Sequence, residues 1–206
     1  EDISVEQLPA LANQFITFGC FNKLAKLGAA VVTLWSKVLL SIPDSKLFLK
    51  TKQLADPMAL DKLIDQFESH GISKSRLILE GPSPRKHLLA SYNKVDIALD
   101  PFPYPGGTTT AEALWMGVPV LTLKGDRFLS HVGESIAHNV GHSDWIAADH
   151  EEYVNKAKMF ASEISQLAKM RQGLRDKVLQ SPLFDAERFA KNFEVAMTGI
   201  WEQHKK

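Results

Sequence analysis

Short, almost unbroken apolar runs alternate with helical patterns along this chain, and that alternation restricts the fold more than any other feature. The segments 15–20 (FITFGC), 46–50 (KLFLK), 76–80 (RLILE), 95–100 (VDIALD) and 119–123 (PVLTL) read as strands, with a short sixth at 145–147. Helical spacing of apolar residues predicts helices over 27–40, 57–70, 85–93 and 129–138, and another opening at the threonines after Gly107. Two long helices, about 150–179 and 185–204, close the chain on either side of Ser181-Pro182-Leu183-Phe184. Strands apolar on both faces belong to a parallel sheet covered by helices on both sides. Right-handed crossovers then give an α/β, doubly wound, Rossmann-like domain. Residues 1–14 read as an incoming connector and 15–206 as the domain itself. Ligands of such sheets bind beyond the carboxyl ends of strands, where the loops after Cys20, Glu80 and Asp100 lie.

Composition removes several function classes. The formal net charge is zero and the isoelectric point near 7.3, so bulk charge draws the chain neither to nucleic acid nor to acidic membranes. The apolar stretch 29–40 is interrupted by Ser36 and Lys37 and is too short to span a bilayer. No cleavable leader is read at the start. Cys20 is the only cysteine, which excludes an internal disulfide and fits a reducing, cytoplasmic setting. His138 and His142 stand four apart, but Gly141 interrupts the helix between them, and no Cys/His zinc spacing occurs. No metal or other cofactor is therefore expected.

The run from Leu99 to Gly117 (LDPFPYPGGTTTAEALWMG) carries the chemistry. A strand ends at Asp100, a proline loop follows, and Gly106 and Gly107 open a helix whose first turn holds Thr108, Thr109 and Thr110. First-turn amides have no intrahelical partners, the helix dipole attracts anions, and glycine lets a phosphate approach the backbone. Threonine is also an ordinary helix cap, but a cap needs one threonine, not three. Glu112, a turn later, is placed to accept from a sugar hydroxyl beside that phosphate. Lys23 and Lys26 follow the first strand, where a cation neutralises a diphosphate. Ser83 and Arg85 follow the third strand, in a proline-held loop suited to a base edge or ribose, or simply to a turn. His131 follows the fifth strand and faces either the crevice or solvent. Neither a Walker lysine nor a nucleophile elbow is present.

FGCFNKLAK, DIALDPFPYPGGTTTAEALWMGVPVLTLKGDR and the closing SPLFD resemble the C-terminal catalytic lobe of the O-linked N-acetylglucosamine transferase/SPINDLY family. The resemblance runs from about Phe15 to the end. It implies one of two Rossmann-like lobes of a GT-B fold, usually preceded by tetratricopeptide repeats. By position, Lys26 matches the diphosphate-contacting lysine, taken as the catalytic group, and Lys23 a neighbouring polar ligand. Thr108 and Thr109 match the phosphate-holding pair, Glu112 the ribose acid, Ser83 a backbone contact to uracil and Arg85 a basic residue near the nucleoside. Departures occur where some relatives have histidine (Gly107, and His87 or Leu88), a basic residue (Ser91) or arginine (His131).

The resemblance implies the donor-binding half of an inverting, metal-independent glycosyltransferase acting on protein side chains, with a UDP-sugar, UDP-N-acetylglucosamine, as donor. It places the acceptor protein or peptide site on N-terminal parts absent from these 206 residues, and leaves the isolated chain inactive. The alternatives are a non-catalytic nucleotide-binding or interaction module and a UDP-sugar epimerase.

Overall fold

The computed structural model describes residues 3–205. Residues 1 and 2 of the expected connector and residue 206 of the expected domain lie outside the described residues. The strands are β1 (Thr17–Cys20), β2 (Lys46–Lys50), β3 (Leu77–Glu80), β4 (Ile97–Leu99), β5 (Val120–Leu123) and β6 (Ile146–Ala147). They form one sheet in the order β3-β2-β1-β4-β5-β6, every pairing parallel. The strand order reverses between β1 and β4, so a ligand crevice opens beyond their carboxyl ends. The helices are α1 (Ala10–Asn13), α2 (Ala29–Ser41), α3 (Pro57–Glu68), α4 (Arg85–Ala90), α5 (Thr108–Trp115) and α6 (Val132–Asn139), then α7 (His150–Ser162), α8 (Ile164–Leu179) and α9 (Ala186–His204).

Alternate strand residues face opposite sides, and both sides are apolar here. Phe18, Leu47, Leu49, Ile97 and Leu121 pack with Trp35 and Val38 of α2, Phe67 of α3 and Tyr153 of α7 in one core. Phe48, Ala98 and Val120 meet Leu89 of α4, Leu114 of α5 and Ile136 of α6 in the other. Phe18, Phe48 and Trp35 are fully buried, and each such side chain contributes on the order of 2–3 kcal/mol. The doubly wound architecture read from the sequence is the one observed.

Three boundaries differ from that reading. The segment expected as one helix over 150–179 is α7 and α8, because Glu163 leaves helical backbone (φ −96°, ψ 54°). The break re-aims α8, which places Leu167 in the first core and Leu174 and Val178 in the second. The chain therefore closes with three helices where two were expected. Secondly, α4 stops at Ala90 and continues as a 3-10 turn, and another 3-10 turn, Phe128–His131, precedes α6. Thirdly, the segment read as a connector is part of the core. Ile3, Leu8 and Ala10 are buried. The amides of Ala10 and Thr17 donate to the buried Asp96 carboxylate at 2.8 and 2.7 Å. Arg171, 1% exposed, donates to the carbonyls of Glu6 (2.8 Å), Val95 (2.7 Å) and Tyr92 (3.3 Å). These buried groups tie the first residues, β4 and α8 together beneath the amino ends of the strands. Gly117 (φ +74°) allows that closeness, since a Cβ there would lie 2.9 Å from the Arg171 carbonyl.

In contrast, α9 has no buried residue, and Phe189, Phe193, Met197, Ile200 and Trp201 form an exposed apolar stripe along it. Among the described residues no helix is long and apolar enough to cross a membrane.

Candidate functional site

The crevice is organised around a buried acid. Asp100 stands one residue past β4 and is 2% exposed. Its Oδ1 accepts from the Gly106 amide at 2.6 Å and the Thr110 hydroxyl at 3.4 Å, and its Oδ2 from the Thr122 hydroxyl of β5 at 3.2 Å. The carboxylate thus folds the proline loop back and holds α5 at a fixed start. A Cβ on Gly106 would lie 2.3 Å from Thr110 Oγ1, 2.7 Å from Thr109 Oγ1 and 3.0 Å from Asp100 Oδ1. A Cβ on Gly107 would meet nothing within 4 Å. Packing therefore demands a glycine at the first of these positions and not at the second.

Gly107 is the N-cap of α5 and no side chain caps the helix. The three threonines, about 100° apart on the helix, go to different places. Thr110 turns into the core toward Asp100, Thr109 bonds Asn22, and Thr108 lines a groove with Glu112. The first-turn amides are left without a side-chain cap.

Lys26 reaches this tip from a 3-10 turn after β1. Its Nζ donates to the Pro105 carbonyl at 2.7 Å and to Asn22 Oδ1 at 3.1 Å, and lies 3.9 Å above the Tyr104 ring centroid. All three partners are neutral. Among the described residues no carboxylate is within ion-pair distance of Lys26. Burial pushes its ammonium below the ordinary lysine value, while the charge of Asp100 pulls it back up. A cation held by dipoles has no ion pair to break when an anion arrives.

On the other side of α5, Arg85 Nη1 pairs with Glu112 Oε1 at 2.7 Å. With Leu89, Thr108, Trp115 and Phe184 they line a groove of about 310 Å³. Apolar walls, a carboxylate and a guanidinium suit a ribose with its base. The Ser83 hydroxyl, in the loop leading to α4, is buried without a hydrogen-bond partner.

The geometry joins Lys26, Gly106, Thr109 and Thr110 in one cluster and Arg85, Thr108 and Glu112 in a second against the same helix. Two candidates stand apart. Lys23 is exposed, and its charge acts on Lys26 only at a distance. His131 is exposed and bonds Glu134 Oε2 at 2.8 Å. Sequence reasoning passed over Asn22, Tyr104 and the role of Asp100. Asn22 and Thr109 are 87 residues apart, so only the fold reveals their contact. The one signal available was a polar residue two positions past a buried strand. Cys20, buried on β1 with its thiol pushed up to about 12 by burial, is inert.

Burial raises the Asp100 pKa from 3.8 to about 7, against the Gly106 amide, the Thr122 hydroxyl and the charge of Lys26. A carboxyl raised above its unfolded value keeps its proton longer in the folded state. Its contribution to stability therefore falls as pH climbs from about 4 to about 7. Asp100→Asn removes that dependence, so the variant's urea midpoint is expected to gain on the wild type's over this range. A difference that stays constant with pH would contradict the assignment.

With this geometry in place, comparison with known proteins is informative. Residues 3–193 match the family model described as glycosyl transferase family 41. The chain is 37% identical over 200 residues to a Hordeum vulgare protein named probable UDP-N-acetylglucosamine–peptide N-acetylglucosaminyltransferase SPINDLY, covering 95% of this chain and 21% of that protein. An Arabidopsis thaliana relative named for the same activity, SEC, is 30% identical, covering 91% of this chain and 19% of its own. A solved mutant of the Thermobaculum terrenum O-GlcNAc transferase superposes with a TM-score of 0.85 at 38% identity, covering 92% of this chain and 36% of that one. The chain spans about a fifth of the length of the curated relatives it matches.

Proposed function

The chain belongs to glycosyl transferase family 41, and from that premise we propose that it forms the donor-binding half of an inverting glycosyltransferase that modifies protein side chains. The nucleotide-sugar lobe in this reading includes the first described residues, whose Ile3, Leu8 and Ala10 are part of its core. The donor is a UDP-sugar, and the names of the relatives favour UDP-N-acetylglucosamine. The diphosphate lies across the tip of α5, held by the amides of Thr108 and Thr109, the Thr108 hydroxyl and Lys26, with Gly106 and Gly107 giving close backbone approach. Glu112 accepts from the ribose, Arg85 and Ser83 border the nucleoside, and Lys23 and His131 stand at the rim.

An acceptor hydroxyl attacks the anomeric carbon as the bond to the β-phosphate oxygen breaks, with inversion and through an oxocarbenium-like state, and its proton passes to a base on polypeptide outside these residues. The bonding electrons move onto the departing diphosphate. Lys26 and the α5 amides stabilise that growing charge, and in this reading no metal ion takes their place. The acceptor protein or peptide binds on polypeptide outside these residues. The exposed stripe on α9 favours a lobe that packs against further polypeptide, as a non-catalytic interaction module would also do. A single free cysteine and the composition favour a cytoplasmic setting.

One observation carries the proposal: an uncapped helix tip and an ammonium that has no ion-pair partner among the described residues meet at one point. Calorimetric titration of the chain with UDP, UMP and uridine tests it. Affinity is expected to fall with each phosphate removed, by about tenfold or more for the β-phosphate. Equal affinity for UDP and uridine would overturn it.

A further inference from the structure

Asn22 occupies a position that the proposed mechanism does not by itself explain. It is 8% exposed, two residues past β1, and its Oδ1 accepts from Lys26 Nζ at 3.1 Å and from Thr109 Oγ1 at 3.0 Å. Its Nδ2 faces Cys20 Sγ at 3.6 Å. An ammonium only donates, so the atom facing Lys26 is the carbonyl oxygen. That oxygen carries no hydrogen, so Thr109 must donate to it as well. One lone-pair-bearing atom therefore fixes both the direction of the cation and the rotamer of the hydroxyl.

The choice of amide over acid is informative. A carboxylate here would form a buried ion pair with Lys26 and cancel the charge offered to an incoming anion. An alanine would leave the ammonium tethered only by the Pro105 carbonyl and the Tyr104 ring. Asparagine alone among residues of this size and shape holds both groups while adding no charge.

We propose that Asn22 is a positioning residue of the diphosphate site, its carbonyl oxygen tying Lys26 and, through the Thr109 hydroxyl, the amide-bearing first turn of α5 into one arrangement around a phosphate group while leaving the lysine's charge unspent. The proposal rests on the donor-site reading above. It assigns to Asn22 a role in phosphate grip and none in nucleoside contact.

Calorimetry with UDP and with uridine on the wild type, Asn22→Ala, Asn22→Asp, Lys26→Ala and the Asn22→Ala/Lys26→Ala double variant tests it, with thermal melting as the folding control. Asn22→Ala is expected to weaken UDP binding about tenfold and leave uridine unchanged. Asn22→Asp, nearly isosteric and so less disruptive to the fold, is expected to weaken UDP more, since it neutralises Lys26 and repels the diphosphate. In the Lys26→Ala background, Asn22→Ala should lose most of its effect, because the residue acts largely through the lysine. Asn22 variants that bind UDP like the wild type while Lys26→Ala does not would overturn the positioning role alone. So would equal losses for UDP and uridine, or full additivity in the double variant. UDP binding indifferent to Lys26→Ala would overturn the donor-site reading and this proposal with it.

Discussion

Replacing Lys26 with alanine in the full-length enzyme is expected to lower sugar transfer by about two to three orders of magnitude, the usual loss on removing a preorganised group that stabilises transition-state charge. The size follows from how the ammonium is held. It touches a carbonyl, an amide oxygen and an aromatic ring, none of which carries a formal charge. Its electrostatic effect is therefore available where the diphosphate departs, in a partly buried setting where charge is weakly screened. The same arrangement separates loss of function from loss of fold. Removing the side chain breaks no ion pair, and Asp100, which loses the attraction of Lys26, keeps the Gly106 amide and the Thr110 and Thr122 hydroxyls, so stability should change by no more than about 1 kcal/mol. Steady-state kinetics beside a thermal melt checks both halves. A melt that collapses along with activity would point to a structural role instead.

Gly106→Ala is expected to damage both the fold and the crevice. The new methyl would sit inside contact distance of Thr110 Oγ1, Thr109 Oγ1 and Asp100 Oδ1, and these atoms belong to short, packed side chains with no room to retreat. Overpacking at such a point costs about 1–3 kcal/mol, and here it would also break the 2.6 Å bond by which Asp100 holds the loop. UDP affinity should fall by more than about tenfold, because pushing Thr109 and Thr110 aside shifts the first turn of α5, and with it the phosphate grip, by about 1 Å. Gly107→Ala is the internal control. Its methyl enters open space, so its melting temperature should fall far less than that of Gly106→Ala. Urea unfolding of the two variants side by side settles the contrast, and an equal loss of stability would contradict it.

Strand positions were readable because each strand is apolar on both faces, a pattern that buried parallel sheets impose and few other elements share. The division of α7 from α8 was not, since neither glycine nor proline marks it. Glu163 leaves the helix because Leu167 and Leu174 must reach cores on opposite sides of the sheet, a tertiary demand that local propensity does not carry. The first residues were misread for a related reason. Their short apolar members, Ile3 and Leu8, show no periodicity, and the groups that hold them, Asp96 and Arg171, lie far along the chain.

The site divides in the same way. Gly106 to Glu112 is one continuous stretch, so its geometry follows from a strand, a turn and a helix start. Lys26 was legible from topology, as a cation at a strand's carboxyl end. Asn22 and Asp100 were not, because their partners come from other elements. The three threonines, alike in sequence, part company once α5 forms, and only the fold separates the one serving the core from the two facing the crevice.

The central claim is that the α5 tip and Lys26 grip a diphosphate together. A crystal structure of the chain with UDP tests this most directly. A phosphate oxygen is expected within about 3 Å of both Lys26 Nζ and the Thr109 amide. A nucleotide seated elsewhere, or Lys26 turned out into solvent while the diphosphate is bound, would contradict it.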